Sequence, residues 1–136
     1  MRPITQAIRS AVVVMAAVAA GAASAEPVSV ELNKLEAADG ACQAYMVTDN
    51  NRESAMESLK LDLVMFDQDG IIAKRLAVEL GPLPAGKTRV KVFRIDGVGC
   101  PTISRILVND ILSCGGADNC LPLLSVASRS EVAFTQ

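Results

Sequence analysis

The chain contains no histidine and no tryptophan, and it has only one tyrosine and three phenylalanines. Without histidine there is no Ser-His or Cys-His couple to activate a nucleophile, and no imidazole for a zinc site. With so few rings, stacking platforms for bases or sugars are scarce. No Cys-x-x-Cys spacing occurs, so the usual signature of a thiol-redox pair is missing. The 13 basic and 15 acidic residues are evenly mixed. No basic field is present to attract nucleic acid or an anionic membrane surface. There is no internal repeat, low-complexity tract or linker, and 136 residues fit one domain.

What is present begins with an address. Residues 1–25 read as a cleavable secretory signal. Arg2 and Arg9 form its positive start, Ala11 to Ala20 (AVVVMAAVAA) its apolar centre, and Ala23-Ser24-Ala25 its small-residue cleavage site. The mature domain is then expected to span 26–136. A retained anchor would need ~20 apolar residues, and Gly21, Ser24 and Glu26 interrupt the run too early. No arginine pair precedes the apolar run and no cysteine marks the cleavage site, so the general secretory route and a periplasmic destination are expected. Loss of Arg2 and Arg9 takes the net charge from −2 to −4.

All four cysteines, Cys42, Cys100, Cys114 and Cys120, fall in the mature part. An even count in an exported chain reads as two disulfides. Three pairings are open. A short Cys114–Cys120 loop with a long-range Cys42–Cys100 staple is favoured, though spacing alone does not choose.

The mature part is patterned as strands. Val28 to Leu35, Cys42 to Thr48, Leu59 to Phe66, Ile71 to Leu80 and Thr88 to Ile95 alternate apolar with polar residues. A bend is expected near Lys74-Arg75. Turn formers separate the strands: Ala37 to Gly40, Asp49 to Ser54, Asp67 to Gly70 and Gly81 to Gly86. Ile103 to Ser113 fits either period. On a strand, Ile106, Val108 and Leu112 would share a face with Asp110 as the misfit, and its β-branched content favours that state. A loop follows from Gly115 to Asn119, and Glu131 to Phe134 reads as a last edge strand. Five to seven short strands at this spacing indicate an all-β two-sheet sandwich. Its expected core includes Leu59, Leu61, Leu63, Met65, Val78, Val90 and Val92.

The stretch from Val47 to Ile95 resembles the small immunoglobulin-like domains of the FxLYD type. The matching residues are Asn50, then Val64 to Gly70 (VMFDQDG), then Leu83-Pro84-Ala85-Gly86. The chain departs from that pattern where the family has Leu-Tyr-Asp and this sequence has Met65-Phe66-Asp67. The tail from Cys100 has no counterpart there. The whole chain also resembles short exported proteins of alphaproteobacteria. Both resemblances imply a binding or assembly module and bring no catalytic residues.

Several stretches imitate chemistry. Gly81 to Thr88 (GPLPAGKT) fits the phosphate-loop pattern letter for letter. Yet Pro82 and Pro84 have no N–H to offer a phosphate, and the residues after Thr88 alternate as a strand instead of opening a helix. No nucleotide is expected there. Asp67 to Gly70 (DQDG) opens like a calcium loop but continues into Ile71-Ile72-Ala73-Lys74-Arg75, without the later oxygen ligands. A hairpin turn is the better reading, and Asp118-Asn119 alone is no metal site. Asp62, Asp67 and Asp69 read as solvated carboxylates and not as an acid–base pair. Ser104, Ser113 and Ser125 lack a visible base.

One cluster remains: Lys74, Arg75, Arg89, Lys91 and Arg94. Edge lysines that guard against aggregation would explain it, and so would a docking face for an acidic partner. The expectation is therefore an accessory module that binds another envelope protein and uses no catalytic residue, metal or cofactor. A small-molecule-binding domain, with a pocket near the Cys114–Cys120 loop, is the alternative. A thiol-redox protein is a third and weaker one.

Overall fold

A computed structural model of the chain describes Pro3 and residues 10–17, 27–115 and 120–136. Arg2, Arg9, the cleavage site at Ala23 to Ala25 and the loop residues 116–119 lie outside the described residues. Residues 11–17 form no helix or strand, and Val12 to Met15 are exposed.

Alternation in the sequence becomes strands throughout. Strand β1 (Val28–Ala38) turns at Gly40, whose positive φ of 66° suits glycine, into β2 (Ala41–Asn50). Strand β3 (Ser58–Phe66) turns through Asp67 to Gly70 into β4 (Ile72–Glu79). The chain then crosses to β5 (Thr88–Asp96) in the first sheet. A 3-10 turn over Cys100–Thr102 leads to β6 (Arg105–Gly115). A second 3-10 turn, Leu121–Leu123, leads to β7 (Leu124–Ser128), and β8 (Ala133–Thr135) closes the chain.

The strands form two four-stranded sheets, ordered β5-β2-β1-β7 and β4-β3-β6-β8. The protein is an all-β sandwich. Each sheet joins strands distant in sequence, β2 with the edge strand β5 in one and β3 with β6 in the other, as the B–E and C–F pairs do in immunoglobulin-like sandwiches. At one flank, β7 pairs parallel to β1 and β8 parallel to β6, so the final segment serves both sheets. At the other flank, β4 and β5 are the free edges.

The core lies between the sheets. Val28, Val30 and Leu32 of β1 meet Cys42, Ala44 and Met46 of β2 on one side, and Leu59, Leu61, Leu63 and Met65 of β3 on the other. The expected core residues on β3 and Val78 on β4 are buried. Val90 and Val92 are not: they are 62% and 40% exposed. Val90 lies opposite Val47 and Val92 opposite Tyr45, on the outward face of the sheet. Core-facing Met46 and Thr48 lie opposite Lys91 and Arg89. The inward phase of β5 is therefore Phe93 and Ile95, with Arg89 and Lys91 in the same phase.

The stretch open to either period is strand β6, and its phase also differs from expectation. Irregular pairing between Lys60/Leu61 and Asp62/Leu63 shifts the alternation. Ile106 and Val108 face the core, Ile111 packs against it, and Leu112 is half exposed. In β4 the register slips between Met65/Phe66, which places the extra residue at Ala73, next to the bend expected at Lys74-Arg75.

Both cysteine pairs are disulfides. Cys42 of β2 joins Cys100 in the first 3-10 turn, with Cα atoms 4.9 Å apart, and Cys114 joins Cys120 at 6.2 Å. Bonds of this kind form and persist in an oxidising compartment. Among the described residues, no helix is long and apolar enough to cross a membrane.

Candidate functional site

The stretches that imitate catalytic loops are held by packing and hydrogen bonds within the fold. Gly81 sits where a Cβ would come within 2.8 Å of the Ser58 Cα, so any side chain would collide with the β3 backbone. Gly86 has a φ of +65°, and Thr88 opens β5 instead of a helix. The loop between them is anchored from inside. Leu83 and Met56 exchange backbone bonds, and the buried Asn50 amide donates to the carbonyls of Ser54, Leu83 and Pro84 at 3.1, 3.0 and 3.3 Å. In the DQDG turn, Asp67 Oδ1 accepts the N–H groups of Asp69 and Ile71, each at 2.9 Å. The carboxylate thus serves the hairpin. Among the described residues, no group of three or more His, Cys, Asp or Glu is placed to hold a metal ion.

Asp62 corrects the expectation of a solvated carboxylate. It lies on the outward face of β3, yet it is only 4% exposed. Arg75 grips it with Nε and Nη2 at 2.9 and 2.8 Å, and the Asn109 amide donates at 2.8 Å. These donors, Arg75 first, hold the Asp62 carboxyl below its ordinary pKa. A lowered folded pKa means that Asp62 contributes stability above its unfolded pKa, and the contribution fades as pH falls through the folded value. The thermal midpoint of Asp62→Asn should therefore lie below wild type at pH 7, and the gap should close as the pH drops below about 4. A gap independent of pH would contradict the assignment.

The five cations expected to form one face are divided by the structure. Arg75 is held by Asp62. Arg94 points outward, pairs with Asp96 at 2.5 Å and reaches the Asp39 carbonyl. Lys74 lies opposite Met65, half-buried on the core-facing side of β4. Arg89 and Lys91 stand together on the core-facing side of β5, but β5 is the last strand of its sheet and both are exposed. Neither makes an ion pair among the described residues.

Among the described residues, nothing pairs with the backbone of β5 along one side. The Asn50 N–H donates to the Lys87 carbonyl at 3.0 Å, and the Gly97 N–H donates to the Gly40 carbonyl at 2.9 Å. Bonded pairs alternate along an antiparallel ladder. The odd-numbered residues of β5 therefore bond to β2, while Thr88, Val90, Val92, Arg94 and Asp96 direct their N–H and C=O groups away from it. The edge thus presents open hydrogen-bonding groups with valines on one face and cations on the other. Residues 80–82 and 89–91 also line a shallow groove of about 300 Å³ between the ends of β4 and β5.

Two further grooves, of about 380 and 310 Å³, share Cys100, Pro101, Glu131 and Val132 beside the first 3-10 turn. Neither is lined by Cys114 or Cys120, where a pocket was expected, and residues 116–119 of that loop lie outside the described residues.

No family model and no curated protein matches the chain. The fold is shared with IrmA from Escherichia coli. The solved structure of IrmA superposes with a TM-score of 0.53 at 12% identity, over 73% of this chain and 89% of IrmA. At that identity the likeness to IrmA concerns the sandwich alone.

Sequence reasoning placed Arg89 and Lys91 on one face, and they share one. It did not find the exposed valines. The signal lay in the phase of β5, where Phe93 and Ile95 alternate in step with the cations.

Proposed function

We propose that this chain is an exported, non-catalytic module that binds another protein of the cell envelope, in the periplasm, through the flank formed by β4 and β5. The observation that carries this reading is the edge of β5, with Val90 and Val92 exposed on one face and Arg89 and Lys91 exposed on the other. Strand edges and their flanking side chains are where β modules commonly bind partners. The two disulfides fit an extracytoplasmic address.

Crosslinking in the native envelope tests it, with a photoreactive residue placed at Thr88, at Val90 or on the distant β7. A reproducible envelope partner captured from the two β5 positions is expected. Capture should be lost when Arg89→Glu and Lys91→Glu are combined. Equal capture from β7, or none above background, would sink the proposal.

A further inference from the structure

We infer that the segment bound at β5 is an added strand: an extended stretch of a partner protein in which acidic residues alternate with apolar ones. The inference rests on the docking reading above and names the chemistry of what docks.

Three features of β5 specify this occupant. First, the outward N–H and C=O groups of Val90 and Val92 form a ladder that a helix or a loop could not satisfy in sequence, whereas a strand can. Second, side chains opposite one another across a strand pair lie on the same face. Residues of the added strand opposite Arg89 and Lys91 therefore meet cations, and those opposite Val90 and Val92 meet a surface continued by Val47 and Tyr45 of β2. An alternating acidic and apolar strand complements both faces at once. Third, the charge argues against a second copy. The edge carries Arg89, Lys91 and Arg94 against Asp96 alone, so two β5 edges would bring like charges together. The chain as a whole is acidic, with a net charge of −2, and this edge is locally cationic.

The test is an NMR titration of the isotopically labelled protein, purified from its exported form. The probes are a short capped peptide of alternating valine and glutamate, and its valine–lysine counterpart. Binding of the glutamate peptide is expected to shift the amides of Val90 and Val92 and slow their hydrogen exchange, with salt weakening the affinity. The lysine peptide should leave the spectrum unchanged. Val90→Pro removes an N–H that points away from β2, a substitution edge strands tolerate, and should abolish binding with the fold intact. If that variant does not fold, the charge reversal carries the test. Combined Arg89→Glu and Lys91→Glu should weaken the glutamate peptide at least about tenfold and admit the lysine peptide.

No binding of the glutamate peptide, equal binding of both peptides, or shifts centred away from β5 would overturn the inference. The crosslinking experiment separates the two failures. An envelope partner captured at β5 without peptide binding leaves docking standing and removes the added strand. Peptide binding with no envelope partner does the reverse.

Discussion

Replacing Cys42 and Cys100 together with alanine is expected to cost about 4 kcal/mol, and replacing Cys114 and Cys120 about 2 kcal/mol, by the entropy of the loops they close in the unfolded chain. The first pair closes a separation of 58 residues and the second a separation of 6. The first bond also ties β2 of one sheet to the turn that delivers β6 to the other. Cys42 is fully buried within the core, so its loss removes packing as well. In a domain of this size a cost of 4 kcal/mol lowers the thermal midpoint by roughly 20 °C. Calorimetry of both double variants and the wild type, each purified oxidised, would measure the difference. Equal costs for the two pairs would show that loop closure is not the source of the stabilisation.

How far the sequence exposes this fold depends on how regular each strand is. Strand β3 was legible because Leu59, Leu61, Leu63 and Met65 repeat without interruption and all four are buried. The hairpin after it was legible because Asp67 and Gly70 are residues a tight turn requires, and both are used as such. Asp62 was placed on the correct face and misjudged in its environment. Period tells which way a side chain points, but Arg75 and Asn109 cover it from neighbouring strands that pair with β3 only in the fold. In β6 the bulges broke the period, so Ile111 and not Leu112 turns inward. A bulge leaves no mark in a simple alternation.

The faces of strand β5 were assigned the wrong way round for a different reason. Its two faces are similar in composition, and Val90 and Val92 are the better core residues by type. Which face turns inward is set by the register with β2, whose buried residues Met46 and Thr48 lie opposite Lys91 and Arg89. Strand β7 went unexpected because it is a short strand whose partner, β1, lies at the opposite end of the domain's sequence. The candidate site inherits these limits. Its cations were visible and its backbone edge was not, because an edge is a property of sheet order and no local pattern encodes it; the outward phase of the valines was marked only by Phe93 and Ile95, which alternate with them.

The second large effect is expected at Asn50, the first of the matching residues in the stretch that resembles the FxLYD-type domains. Its amide nitrogen faces three carbonyl oxygens, and its own Oδ1 accepts the Arg52 N–H at 3.1 Å. Asn50 is 1% exposed, so water cannot replace these partners. Asn50→Ala leaves the Leu83 carbonyl without its side-chain donor and should cost about 1–3 kcal/mol. Asn50→Asp should cost more at neutral pH, about 3 kcal/mol or above, because it turns a donor into a buried charge pointing at acceptors. Burial and the surrounding oxygens would raise the folded pKa of the new carboxyl. A raised carboxyl pKa destabilises the fold increasingly as pH climbs above the unfolded value of about 3.9. The gap between Asn50→Asp and wild type should therefore be narrow near pH 4 and widest near pH 7. Denaturant melts of both variants across that range would measure it, and an aspartate no worse than alanine at pH 7 would remove Asn50 from its role. The consequence extends to the candidate site. Asn50 holds the loop that carries the chain from β4 to β5, and its backbone N–H makes the bond that sets which groups of β5 face outward. Loosening that anchor should therefore blur the β5 edge before it unfolds the β3–β6 core, with the amides of Thr88 and Val90 the first to change in an NMR spectrum of Asn50→Ala.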